Sequence, residues 1–147
     1  MKIIAMIAVI GICGMMFLAN ESRAQTPAAK PEVKKVTKEL NEWCTITVPE
    51  KAKMGDTIEV KVTLKNVKTP TKLSCHMHSQ KEDGAYGGFW VFAAPVDVQT
   101  DGTFTFKFIL SEKEGVVKAV PTVFLSPDGE WGSNTANVAG GEIPVAK

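Results

Sequence analysis

The chain has 147 residues, with 17 Lys and Arg against 16 Asp and Glu. That length holds one ordinary domain with a real core, and the charge balance argues against a nucleic-acid partner, which calls for a basic surface. Only three cysteines and two histidines are available for thiol or imidazole chemistry.

Lys2 precedes an uncharged apolar run, Ile3–Ala19, and Ser22 and Ala24 are small residues at the two positions a signal peptidase reads. Residues 1–24 are therefore expected to form a cleaved secretory signal peptide, leaving Gln25 first and placing the protein in a secreted or periplasmic location. An uncleaved anchor would rest on a run at the lower limit of what crosses a bilayer, so no membrane insertion is expected after cleavage. Lipidation at Cys13 is disfavoured by the bulky Ile12 before it. Loss of Lys2, Glu21 and Arg23 with the signal leaves 15 basic and 15 acidic residues in a mature chain of 123.

Residues 25–42 are rich in Lys, Ala and Pro and read as a flexible lead-in, with room for one short edge strand or helical turn. From Trp43 the text alternates apolar and polar residues with a period of two, which predicts strands, and residues 43–147 are read as one domain. Cys44, Ile46 and Val48 share one face before Pro49, and Ile58, Val60, Val62 and Leu64 share another after the turn at Lys53–Asp56. Leu73, Cys75 and Met77 alternate with Ser74, His76 and His78. Phe89–Ala94 is apolar on both faces and is expected to be buried or covered, continuing through Val96 and Val98. Phe104, Phe106, Phe108 and Leu110 follow a Thr-Asp-Gly turn, and Val116–Leu125 is another strand ending at the turn Ser126–Gly129. Weaker strands are expected at Thr135–Val138 and Glu142–Val145. About seven short strands without a long helical pattern predict an all-β antiparallel sandwich.

The stretch VPEKAKMGDTIEVKVTLKNV, Val48–Val67, resembles the opening strand, turn and second strand of exported immunoglobulin-like domains, a likeness at fold level that runs from Trp43 to about Val145. It implies an immunoglobulin-like β-sandwich, a scaffold used for adhesion, assembly or ligand binding; fold alone does not assign a function. The chain departs from the antibody pattern in two respects. Cys44 and Cys75 are too close in sequence for the usual bridge between sheets, and no tryptophan lies between them.

Two groups of residues could carry function. His76 and His78 project from one strand face with Cα atoms about 6.5 to 7 Å apart, a pair that can share a Cu(II), Zn or Ni ion. Met77 and Cys75 point the other way, so a third ligand, such as Glu82, Asp83 or the mature N-terminus, would have to come from elsewhere. The other group is aromatic. Tyr86 and Trp90 flank a Gly-rich segment, and Trp131 lies in a Gly, Ser and Asn loop that ends at Asn134; such rings form contact surfaces for sugars or proteins. Phe89, Trp90 and Phe92 also fit a core.

No nucleophile elbow, phosphate loop or zinc-protease helix occurs, and Asp97, Asp101, Asp128 and Glu130 mostly fall at turns, so the chain is read as non-catalytic. The first functional expectation is an exported binding or cell-surface module presenting Tyr86, Trp90, Trp131 and Asn134 to a glycan or protein partner, without a cofactor. The alternative is a periplasmic or extracellular metal-binding protein of copper type using His76 and His78. With Cys13 lost, Cys44 and Cys75 are expected to pair in an oxidising compartment, closing a loop of about 30 residues for roughly 3 to 4 kcal/mol. Intact mass without reductant should be about two mass units below the reduced value; two free thiols would remove the bridge and return Cys75 as a soft metal ligand.

Overall fold

In a computed structural model of the protein, residues 33–146 are described. The expected signal peptide, residues 1–24, and the first part of the lead-in lie outside the described residues. The strands in chain order are β1 (Lys35–Glu39), β2 (Cys44–Pro49), β3 (Ala52–Lys53), β4 (Thr57–Leu64), β5 (Thr71–Lys81), β6 (Tyr86–Phe92), β7 (Val96–Val98), β8 (Gly102–Ile109), β9 (Val116–Ser126), β10 (Ala136–Ala139) and β11 (Ile143–Ala146). A 3-10 turn, Trp131–Ser133, is the one helical element among the described residues.

The strands form two sheets. One has the order β1-β2-β4-β8, and every pairing in it is antiparallel. The other runs β3-β11-β9-β5-β6, with β10 also paired to β9 and β7 to β5. Only the short β3–β11 pairing is parallel. The chain is therefore an all-β, largely antiparallel sandwich.

The alternation read from the sequence sets the two faces of each strand. On β4, Ile58, Val60, Val62 and Leu64 are buried while Glu59, Lys61 and Thr63 are only partly covered. Ile46 and Val48 of β2, Phe106 and Phe108 of β8 and Leu73 and Met77 of β5 join them in the interior. Along the outer side of the smaller sheet run ion pairs such as Lys35–Glu59, 3.1 Å, which holds the Glu59 carboxyl below its usual range. Exposed pairs of this kind contribute little.

The short edge strand allowed for in the lead-in is β1, which falls inside residues 25–42 and pairs along β2 from Lys35↔Pro49 to Glu39↔Thr45. Its Thr37 and Thr47 hydroxyls are 2.8 Å apart across the pair. The short sequence spacing does not keep the cysteines on one sheet. Cys44 stands on β2 and Cys75 on β5, in different sheets, and both side chains are buried in the shared interior. Both are free thiols in this structure. Burial raises the Cys44 thiol to about 11 and pushes Cys75 up further, Cys44 adding to the effect on Cys75.

The core makes a direct prediction. Phe108→Ala should cost about 3 to 5 kcal/mol and Leu64→Ala about 2 to 5 kcal/mol. The change Lys61→Ala, on the partly covered outer face, should stay within about 0.5 kcal/mol. Urea midpoints of the three variants check this ranking.

Candidate functional site

β5 has neighbours on both sides, and its two faces serve different surfaces. Leu73, Cys75 and Met77 face the interior, which leaves Ser74, His76, His78 and Gln80 for the outer face. The ladder sets His76 between Thr122 of β9 and Phe92 of β6, His78 between Val120 and Trp90, and Gln80 between Lys118 and Tyr86. β10 extends the face with Asn137 beside Phe124 and Ala139 beside Thr122.

β6 reads Tyr-Gly-Gly-Phe-Trp-Val-Phe and alternates throughout. Gly87, Phe89 and Val91 turn inward, and Tyr86, Trp90 and Phe92 turn outward. A bulge interrupts the β5–β6 register between His78 and Gln80. Ser79 repairs it: its Oγ accepts the Phe89 N–H at 3.0 Å and donates to the Phe89 carbonyl at 3.3 Å. A Cβ on Gly87 would lie 2.6 Å from that Oγ, and Gly88 has φ +99, so both positions call for glycine.

Trp131 reaches the same face from the turn after β9. Ser74 Oγ donates to the Gly129 carbonyl at 3.2 Å, and the Gly129 N–H donates to Ser126 Oγ at 2.8 Å, fixing the base of the turn. Ser133 Oγ donates to Asp128, which also accepts the Glu130 N–H and is held below its usual range by these bonds. Asn134 Nδ2 donates to the Trp131 carbonyl at 2.6 Å, and Asn137 Nδ2 donates to Asn134 Oδ1 at 2.9 Å.

These elements meet at His76. Its ring centroid lies 5.1 Å from Trp90, 5.3 Å from Phe92, 5.9 Å from Phe124 and 5.3 Å from Trp131. The contacts with Trp90, Phe92 and Trp131 are edge-to-face, an arrangement the ring quadrupoles favour. His76 is only 2% exposed, and its Nδ1 is buried without a hydrogen-bond partner among the described residues. Burial, with a smaller contribution from His78, pushes its imidazole down to about 4. His78 is also lowered by burial, and its Nε2 lies 3.3 Å from Gln80 Nε2.

Of the rings around His76, Trp90 is 52% exposed, Phe92 62% and Trp131 45%, while Phe124 is buried; Tyr86, against Trp90, is 56% exposed. Trp90 and Phe92 are within 6° of parallel, with centroids 5.8 Å apart. With His76, His78 and Gln80, the Tyr86, Trp90 and Trp131 rings border an open groove of about 620 Å³, to which Thr122 and Asn137 also contribute. No Lys, Arg, Asp or Glu is among its described lining residues.

Five of the six residues singled out as ligand contacts or metal ligands thus share one groove: Tyr86, Trp90, Trp131, His76 and His78. Asn134 does not line it and instead holds the Trp131 turn. Trp90 and Phe92 belong to the outer face and not to the core, because the alternation that buries Phe89 turns both of them outward. His76 is not a solvated surface histidine, since aromatic rings enclose it.

The reasoning from sequence missed Gln80, Thr122, Phe124 and Asn137, which reach the face through strand pairing; only the Phe124 position in an alternating strand hinted at this. No cluster of three or more His, Cys, Asp or Glu suited to a metal ion occurs among the described residues. Asp83, a possible third ligand, accepts the Ala85 N–H within the β5–β6 turn at 2.9 Å.

No family model matches the chain, and no curated protein matches it. Among solved structures it is similar to a β-glucosidase from Listeria innocua in complex with gluconolactone, at 17% identity and a TM-score of 0.39. The match covers 79% of this chain and 16% of that one. At that TM-score the likeness carries no functional argument.

The buried imidazole gives stability a pH dependence. Its folded value, about 4, lies below the ordinary 6.5, so between these limits the unfolded chain binds the extra proton. Stability should be fully present above about pH 6.5 and fall as pH drops toward 4. His76→Phe, which keeps a ring in the enclosure, should lessen that slope, with His78 and the lowered carboxyls of Glu59, Asp128 and Glu142 contributing to what remains. Urea unfolding at a series of pH values measures it, and equal slopes in both proteins would contradict the assignment.

Proposed function

We propose that the chain is an exported, non-catalytic binding or cell-surface module that takes a glycan or protein partner in the aromatic groove on the outer face of its larger sheet. The observation that carries this reading is the exposure of Tyr86, Trp90, Phe92 and Trp131 in one place. They are four of the six large hydrophobic side chains exposed among the described residues. Clustered exposed aromatics of this kind mark binding sites, whereas singly scattered ones do not.

The lining favours binding over catalysis. Its ionisable side chains are His76, His78 and Tyr86, and no carboxylate is among the described lining residues to serve as a paired acid and base. The export signal supports a secreted or periplasmic location, where the Cys44–Cys75 bridge is part of the same proposal. The immunoglobulin-like character of the sandwich, resting on Val48–Val67, also belongs to this reading.

The second reading, a copper-type metal site on His76 and His78, draws on one observation: two adjacent imidazoles on a single face, both held toward the neutral, ligating form by burial.

A glycan and protein array probed with the purified protein separates the two. Tyr86→Ala and Trp131→Ala should each weaken the captured interaction roughly tenfold, and chelator should leave it unchanged. Unaltered binding in both variants would remove the groove assignment. Stoichiometric Cu(II) uptake in calorimetry, lost in the His76→Ala/His78→Ala double variant, would favour the metal reading.

A further inference from the structure

We infer that the occupant of the groove is an uncharged carbohydrate chain, whose sugar rings stack on Trp90 within the groove and on Phe92 beside it while His78, Gln80 and Asn137 bond its hydroxyls. The inference rests on the binding-module reading above and names its ligand class.

The first argument is charge. None of the described lining residues is Lys, Arg, Asp or Glu, although charged residues make up 22% of the chain. The nearest ladder neighbour with a charge, Lys118 beside Gln80, is paired to Glu142 at 2.9 Å. A phosphate-bearing ligand or an acidic sugar would find no cation in the lining to receive it. An organic cation would find its place taken, because the space ringed by Trp90, Phe92, Phe124 and Trp131 is filled by His76, a neutral imidazole with no carboxylate behind it.

The second argument is ring geometry. Trp90 and Phe92 are alternate residues of one strand whose rings stack, within 6° of parallel and with centroids 5.8 Å apart, so Phe92 extends beyond the groove the aromatic surface that Trp90 presents inside it. The apolar C–H faces of pyranose rings carry slight positive charge and suit the negative faces of aromatic rings. A chain running along β6 would meet two rings in the same orientation, with Tyr86 further along the strand, 6.5 Å from Trp90.

The third argument is hydrogen bonding. His78, Gln80, Thr122 and Asn137 supply donors and acceptors without formal charge, which suits hydroxyl groups. His76, 2% exposed, lines the same groove with an Nδ1 that has no hydrogen-bond partner among the described residues.

The test is calorimetric titration of the purified protein with cello-, xylo- and mannohexaose as neutral probes and hexagalacturonate as the acidic one, beside Trp90→Ala and Phe92→Ala. Both replaced rings are exposed, so the variants should fold. Support would be binding of at least one neutral hexasaccharide, weakened roughly tenfold by each variant and unchanged by added salt, since no ion pair is made.

If only the acidic probe binds, or no neutral probe binds while a purified protein partner or a second copy of this chain engages Trp90 and Phe92, the carbohydrate inference falls and the groove remains a binding site. If ring replacement changes no interaction of any kind, both readings fall together.

Discussion

Four aromatic rings close around the His76 imidazole, and the outer face of the larger sheet is organised by that enclosure. The rings come from β6 and, well separated from it in sequence, from β9 and the turn after β9, and each packs against the same small heterocycle. Taking the imidazole out of water favours its uncharged form, which is the form that sits among ring edges without a counter-ion. Strand pairing, the bulge opposite Ser79 and the Trp131 turn all act to bring the rings to this point.

Because β5 supplies His76 on one side and Leu73, Cys75 and Met77 on the other, the groove and the interior share a backbone. Ser74 and Ser79 extend that sharing. One ties the strand to the turn that carries Trp131, and the other ties it to the bulge between Tyr86 and Trp90. The groove is therefore built mainly on sheet, with one tethered turn at its rim, and its side chains are placed before any ligand arrives. Such preorganisation reduces the ordering that binding would otherwise require.

Much of the fold was legible, for a simple physical reason. A period of two in Ile58, Val60, Val62 and Leu64, or in Phe104, Phe106 and Phe108, records which side of a strand meets the interior, and tertiary packing followed it. The same rule held the answer for Trp90 and Phe92, but their bulk suggested burial beside Phe89, and hydrophobicity competed with parity. His76 and His78 were placed correctly on one face. The enclosure of the first was not legible, since it depends on Phe124 and Trp131 arriving through long-range pairing. Nor could the spacing of Cys44 and Cys75 reveal that their strands belong to different sheets. β1 was legible only as room for one short edge strand or helical turn, because its surroundings are rich in Lys and Pro and its pattern is short; it is an edge strand held by one neighbour.

The position of β6 has an implication for the protein in solution. It is the outermost strand of its sheet, and so offers unpaired backbone groups beside three uncovered rings, a combination that invites edge-to-edge self-association and fibre growth. Gly87 and Gly88 sit in the middle of that edge, where the bulge breaks the regular ladder a foreign strand would need. The kink that spaces Tyr86 from Trp90 thus also guards the margin of the sheet. A chain with an ordinary residue at Gly88, where φ is +99, would face pressure toward a straighter edge, and colloidal stability would be at stake along with recognition.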